Sequence, residues 1–317
     1  MNNKLFLKLM NKIITYVLPS IKTVPKSEMD ANQASTYIYE ALIKNNPCMI
    51  ARFGSTELSC LNNYMGVHSK PNVFSYLINK SPQWWWENNI INQMQNWSGF
   101  FPSNIENIGR FCELMIEDIE QVDILGSWLS DEKAFEKELE SANKVHLELL
   151  NPYFSDIPWT RALENKKILV VHPFAETIER QYKKRHLLFE NNLLPEFELK
   201  TVKAVQSIAG TKTPFNTWFE ALDFMKNEID KTDYDICLIG CGAYGFPLAA
   251  HVKRSGKKGF HLGGSLQLLF GIKGKRWESP KYNEKYNYSK LINEHWVYPD
   301  SNDKPANANI VEGACYW

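Results

Sequence analysis

The chain has 317 residues, 44% of them hydrophobic, and its 36 basic side chains balance 36 acidic ones. That is apolar material enough for one large or two modest cores, and the balanced charge leaves no global field to draw the chain to nucleic acid. The six cysteines show neither C-x-x-C spacing nor the density of a disulfide scaffold, which reads as reduced thiols of a cytoplasmic protein.

Residues 1–19 carry Lys4, Lys8 and Lys12 at helical spacing, with Leu5, Leu9, Ile13, Tyr16 and Val17 over much of the remaining surface. Such a helix is basic on one face and greasy on the rest, which suits peripheral contact with the inner face of a membrane or docking on the protein's own body. No uncharged run approaches the ~18 residues needed to span a bilayer, and the lysines interrupt any signal-peptide core. Pro19 and Pro25 bracket a linker, which sets residues 1–26 apart as an N-terminal extension.

A helix is expected over 27–46, ended by Pro47. The apolar run Cys48–Ala51 reads as a buried strand, and Arg52-Phe53-Gly54-Ser55-Thr56-Glu57 leaves its end to enter a helix that Ser55 or Thr56 can cap. Ligands of open α/β sheets sit at the C-terminal ends of strands, so Arg52, Gly54 and Glu57 form a candidate site, with mutual pairing of Arg52 and Glu57 as the alternative. Residues 66–81 read as loop, and 82–97 as a helix opening on Trp84, Trp85 and Trp86, which cannot all share one face. Next come a helix (104–120), a strand (122–127), a polar helix (131–143), a strand (145–150) and a short helix (159–163). The strand 167–172 runs directly into a helix begun by Pro173, expected to bring His172, Glu176 and Arg180 to one mouth. A strand (197–202), a loop rich in Ser, Gly, Thr and Pro (206–214) and a helix (215–230) follow.

The strand Ile236–Ile239 is apolar at every residue, as a parallel strand covered on both faces should be. Gly240-Cys241-Gly242-Ala243-Tyr244-Gly245 then supplies G-x-G-x-x-G spacing, in which one glycine makes the turn, one lets backbone approach a pyrophosphate and one lets the helix pack close. The helix behind it would aim its N–H groups at an anion; a packing turn is the plainer reading. Gly256 ends that helix, and the strand 258–262 leads to a second glycine turn at Gly263-Gly264. His172 and His261 each end a strand beside such a turn, where an imidazole can bond phosphate or sugar hydroxyls. From 277 the chain is rich in Tyr, Asn and Pro and reads as an irregular, aromatic C-terminal tail. The ten tryptophans exceed the needs of a core and offer stacking surfaces for sugars or bases. Alternating strands and helices define the fold class: α/β, a doubly wound, mostly parallel Rossmann-like sheet over 27–276, with a helical N-terminal extension and a C-terminal extension over 277–317.

Three segments in this order, Ala51 to Leu58, Val171 to Ile178 and Ile239 to Gly245, resemble the GT-D fold glycosyltransferases of bacterial adhesin glycosylation and surface polysaccharide or capsule synthesis. The resemblance spans residues 47–274. It implies a Rossmann-like domain that binds a nucleotide-diphosphate sugar, with a UDP-sugar the expected donor here, and passes the sugar to a glycan acceptor. The family's strand-end segment reads R-F-G-D-G-E, its D-x-E pair assigned to the metal and the nucleotide sugar. Arg52, Gly54 and Glu57 carry over, and Glu57 would be the metal ligand; Ser55 stands at the first acidic position, and a neutral hydroxyl is a far poorer ligand for Mg²⁺ or Mn²⁺.

The chemistry asks for the same residues. Nucleoside diphosphate departure leaves charge on phosphate, which backbone N–H groups of Gly240, Gly242, Tyr244 and Gly245, the turn at Gly263, or Arg52, Arg180, Lys273 and Arg276 would meet. The acceptor hydroxyl needs a base if configuration inverts, and Glu57 or Glu176 would serve. Two rival classes remain open: a Rossmann enzyme using NAD(P) or S-adenosylmethionine, although no acidic residue closes the strand after the glycine loop, and a non-catalytic sugar-binding subunit.

Overall fold

Every residue of strands β1 (Cys48–Ala51), β2 (Ile124–Ser127) and β6 (Ile236–Ile239) is buried, which follows from runs without charge that can be covered on both faces. Four more strands join them: β3 (Asn143–His146), β4 (Lys167–His172), β5 (Glu198–Lys203) and β7 (Lys258–His261). In the computed structural model, which describes residues 3–17, 23, 25–310 and 313–317, they pair in the order β3-β2-β1-β7-β6-β4-β5. All six pairings are parallel. The expected α/β sheet is therefore present, and parallel throughout.

Alternation along the strands divides the core. Ile50, Ile124, Ile168, Val170, Leu238 and Phe260 face one side, against α2 (Ala31–Ile43) and the aromatic C-terminal region. Met49, Leu125, Leu169, Val171, Cys237 and Ile239 face the other. Covering that second side are α3 (Ser55–Val67), α6 (Ile105–Ile119), α9 (Trp218–Asp230) and α10 (Gly245–Arg254). Asp30, Asn104 and Thr217 cap α2, α6 and α9 by accepting from backbone N–H groups, each worth about 1 kcal/mol. All six cysteines are buried, and none is in a disulfide among the described residues.

Several elements depart from the sequence reading. The helix expected over 27–46 is α2, which begins only at Ala31, because Glu28 bridges to Val145 at the β3 edge. The segment read as loop holds a short helix, α4 (Val73–Leu77), and the three tryptophans precede rather than open α5 (Asn88–Asn96). Trp85 is buried there, its indole N–H donating to Glu87 Oε1 at 2.6 Å, and it meets Tyr76 and Trp84 edge-on. The polar helix 131–143 is instead a 3₁₀ turn, Ser130–Phe135, followed by irregular chain. Its single buried carboxylate, Glu132, organises a loop rather than a helix face. The third strand is short and ends at His146, where Leu147–Leu150 turns into 3₁₀.

At the N-terminus α1 (Asn3–Val17) forms as expected; Pro19, and with it most of the bracketed linker, lies outside the described residues. Lys8 pairs with Glu87 at 2.7 Å, and Asn11 Nδ2 donates to the Tyr76 carbonyl at 2.8 Å, so one side of α1 is docked beside α4. Leu5, Phe6, Leu9, Ile13, Tyr16 and Val17 remain exposed. No helix among the described residues is long and apolar enough to cross a membrane. The remaining helices are short or end-capping: α7 (Ala175–Tyr182), α8 (Arg185–Leu188), α11 (Leu266–Leu269) and α12 (Lys275–Glu278).

Candidate active site

Chain leaving the C-terminal ends of β1, β2, β4, β5, β6 and β7 converges on one pocket, which the C-terminal residues Tyr316 and Trp317 close from the far side. Six strands point into one place because the sheet is wholly parallel, so every strand ends at the same edge. The enclosed part holds about 210 Å³, less than the roughly 300–1,000 Å³ of a typical ligand site. A ligand of ordinary size would therefore extend beyond it, past the partly exposed Trp97 on the lining.

From β1 come Arg52, Gly54, Ser55 and Glu57. Gly54 is extended and precedes α3, whose first turn carries Ser55, Thr56 and Glu57. The Glu57 carboxylate folds back over Gly54 so closely that a Cβ there would stand 1.6 Å from Oε2. A glycine is needed at 54 for that approach, and the helix N-terminus favours the negative group. Arg52 and Glu57 do not pair: among the described residues no carboxylate lies within ion-pair distance of Arg52. Its guanidinium lies 5.3 Å from the ring centroid of Trp128. Trp128 is fixed in turn by its own N–H to the Phe53 carbonyl at 3.2 Å and by Glu132, which accepts from the N–H groups of Trp128 and Leu129 at 2.9 Å each and from the Ser127 hydroxyl.

The glycines of the β6 loop differ in what they do. Gly242 has φ of +59°, and a side chain there would meet only the Ser98 carbonyl at 3.7 Å, so it turns the chain and leaves pocket space. Gly245 is a packing glycine, since its absent Cβ would lie 2.1 Å from the His261 ring. Gly240 closes against the Gly263 carbonyl and the His172 ring. Tyr244 is spent on structure: it stacks on Trp218 with centroids 4.9 Å apart, and its hydroxyl bonds Ser207 at 3.0 Å.

His172 and His261 both reach the pocket and are both buried. His172 Nδ1 accepts from the Phe174 N–H at 3.0 Å, which leaves the ring proton on Nε2. His261 Nδ1 is buried without a partner. Burial lowers both pKa values from 6.5 to about 3, and Arg52 adds to the effect at His261. The rings are therefore neutral hydrogen-bonding groups at pH 7. The unfolded chain protonates them near 6.5 while the folded chain resists to about 3. Stability is thus full above pH 6.5 and falls as pH drops towards 3, by about 2 kcal/mol per ring at pH 5. His261→Asn is expected to flatten the fall in melting temperature between pH 6.5 and 5, measured against the parent so that other titrating groups cancel. Parallel curves for the two proteins would contradict the buried neutral ring.

Two expected site residues lie elsewhere. Glu176 pairs with Lys203 at 3.2 Å and Arg180 with Asp300 at 2.6 Å, both at the surface. The short α7 carries them away from the β4 end, whose mouth is taken by His172 and Phe174. Lys273 is likewise occupied, 3.5 Å from Glu278 and over the Tyr298 ring. Sequence reasoning missed Trp128, Glu132, Tyr316 and Trp317, which are apolar or isolated in sequence and gain meaning only from the ends of distant strands.

The described residues of the pocket do not fit a divalent cation. Among them Glu57 is the one acidic side chain on the lining, and Ser55 beside it offers a neutral hydroxyl, a poor ligand for such an ion. Both histidines are buried among packing contacts, and no group of three His, Cys, Asp or Glu among the described residues is placed to hold a metal.

A family model described as the GT-D fold-like domain matches residues 29–269. No curated protein matches the chain. Solved structures similar to it include a structure described as a new glycosyltransferase (DUF1792) from Streptococcus sanguinis, 12% identical over 89% of this chain and 98% of its own, at a TM-score of 0.36. Another is a selenomethionine-substituted domain of unknown function 1792, 13% identical over 93% of this chain and 95% of its own, also at 0.36. Likenesses this weak leave the family match as the finding that places the chain.

Proposed function

The chain belongs to the GT-D-like family, and we propose from that premise that it is a glycosyltransferase, moving a hexose from a UDP-sugar to a hydroxyl of a glycan acceptor in bacterial surface polysaccharide or glycoprotein synthesis. The observation that carries the reading is the convergence of Arg52, Glu57 and the Gly242 loop on one pocket at the sheet's C-terminal edge. Residues 27–276 then form the transferase body, 1–26 an attachment segment and 277–317 a strap over the site.

In the reaction the acceptor oxygen bonds the anomeric carbon, the bond from that carbon to the diphosphate oxygen breaks, and its electron pair leaves with the diphosphate. The acceptor proton passes to Glu57, the one carboxylate side chain among the described residues of the lining. Neutral His172 and His261 orient hydroxyl or phosphate oxygens, Gly242 admits the diphosphate, and Trp97 at the mouth offers a stacking face. A thermal-shift panel of UDP-, GDP-, dTDP- and CMP-sugars, NAD(P) and S-adenosylmethionine tests the reading. A nucleotide sugar at 100 times its Kd is expected to stabilise by about 2.7 kcal/mol; stabilisation by NAD(P) or S-adenosylmethionine alone would overturn it.

The character of α1 supports attachment at the inner face of the cytoplasmic membrane as part of this reading. Its exposed apolar side chains stand beside exposed Phe74 of α4, and Lys4 and Lys12 are exposed with them. Removing residues 1–19 is expected to reduce sedimentation with anionic liposomes, most at low salt, at about 1 kcal/mol per lysine, without changing donor binding. Unchanged sedimentation would make α1 a docked structural helix only.

A further inference from the structure

Two amide side chains belong to the pocket lining, and they differ in what they are free to do. Gln267 is committed: its Nε2 donates to the carbonyls of Ile272 and Tyr316 at 3.2 Å and of Lys273 at 3.3 Å. The side chain of Gln206, in the loop after β5, has no hydrogen-bond partner among the described residues. Neither has the hydroxyl of Ser98, a residue only 5% exposed, which lines the same pocket. Polar groups with so little water around them are ordinarily paired, so this wall is short of a partner.

The wall is firmly built. Trp97 ends α5, its N–H donating to the Gln93 carbonyl at 2.8 Å, and it remains 41% exposed on the lining. Gly99, at φ of +70°, approaches the second loop so closely that a Cβ would stand 2.9 Å from the Ile208 nitrogen. The Ser207 hydroxyl donates to the Gly99 carbonyl at 2.6 Å and bonds the Tyr244 hydroxyl at 3.0 Å. Tyr244 of the glycine loop thus pins the 97–99 turn against residues 206–208, and the two cannot separate without breaking these bonds. Beside them lies Gly242, whose missing side chain would meet the Ser98 carbonyl at 3.7 Å. A ligand that lays its diphosphate over Gly242 therefore has this wall next to it.

We infer that Trp97, Ser98 and Gln206 form a nucleobase subsite that selects a pyrimidine with an imide edge, as uracil has. The inference rests on the proposed transferase reading and assigns the base end of the donor. An exposed indole is a stacking face for a base. A carboxamide both accepts and donates, so the Gln206 oxygen can take the ring N–H of uracil while its NH₂ donates to the neighbouring carbonyl. The Ser98 hydroxyl serves the remaining edge. A pinned pair of loops favours the smaller ring over a purine.

Calorimetry with UDP, CDP, GDP and inorganic pyrophosphate as probes tests this. The parent is expected to bind UDP more tightly than CDP or GDP. Trp97→Ala is expected to weaken UDP by about tenfold, as loss of one base–aromatic stack implies, with pyrophosphate unchanged and Trp97→Phe restoring most of the affinity. Gln206→Glu is expected to reverse the preference between UDP and CDP, because a carboxylate cannot donate to uracil but accepts from the cytosine amino group. That ratio cancels the added repulsion of the phosphates. An unchanged UDP Kd in Trp97→Ala, equal loss of UDP and pyrophosphate there, or an unchanged ratio in Gln206→Glu would overturn the subsite and leave the transferase reading intact. Tighter binding of GDP than of UDP by the parent would do the same, with no variant involved. Failure of all three nucleotides to bind the parent would overturn both.

Discussion

Glu57→Gln is expected to lower sugar transfer by at least two orders of magnitude in kcat, with the melting temperature and donor Kd little changed. Glutamine keeps the size and much of the hydrogen bonding of the side chain but cannot take the acceptor proton, and loss of a general base alone costs roughly 10² to 10⁴ in rate. Among the described residues no other carboxylate side chain lines the pocket to replace it. Gly54→Ala is the companion variant, because a Cβ 1.6 Å from Oε2 forces the carboxylate away from the first turn of α3. Transfer kinetics at saturating donor check both, and a fully active Glu57→Gln protein would remove Glu57 from the chemistry.

Gly242→Val is expected to abolish donor binding while the protein still unfolds cooperatively. At φ of +59° a β-branched residue is strained, at about 1–2 kcal/mol, which lowers the melting temperature without unfolding the chain. Its side chain enters pocket space beside the Ser98 carbonyl, where the diphosphate would lie. Gly245→Val is the contrast, since its side chain would strike the His261 ring at 2.1 Å and damage packing instead. Calorimetry showing that Gly242→Val binds the donor as the parent does would reduce the loop to a turn.

What could be read from sequence followed local apolarity. β1, β4 and β6 were legible because buried parallel strands are largely apolar runs, β7 because glycine turns bracket it, and the candidate residues Arg52, Glu57, His172 and Gly242 behind these strands line one pocket. Elements lacking that signal were misread. Trp84 to Trp86 resemble a helix start, but Trp85 is held by Glu87 and Tyr76, Trp84 meets Tyr76 and Trp86 lies near Tyr64. The polar stretch after β2 looks helical, yet Glu132 is spent on three donors of its own loop. Glu176 and Arg180 lie near His172 in sequence, but α7 turns them to Lys203 and Asp300. The far wall, Tyr316 and Trp317, depends on chain more than 250 residues beyond β1 returning to it, a long-range closure that no local pattern encodes.

The most direct measurement is a ³¹P NMR time course of the parent protein with UDP-, GDP-, dTDP- and CMP-sugars, in EDTA and in Mn²⁺, with slow donor hydrolysis standing in for transfer. The expected result is release of nucleoside diphosphate from one donor class by the parent in EDTA, and its loss in Glu57→Gln. Binding of a donor by the parent with no release in either buffer would contradict enzymatic transfer and leave a sugar-nucleotide-binding subunit in its place.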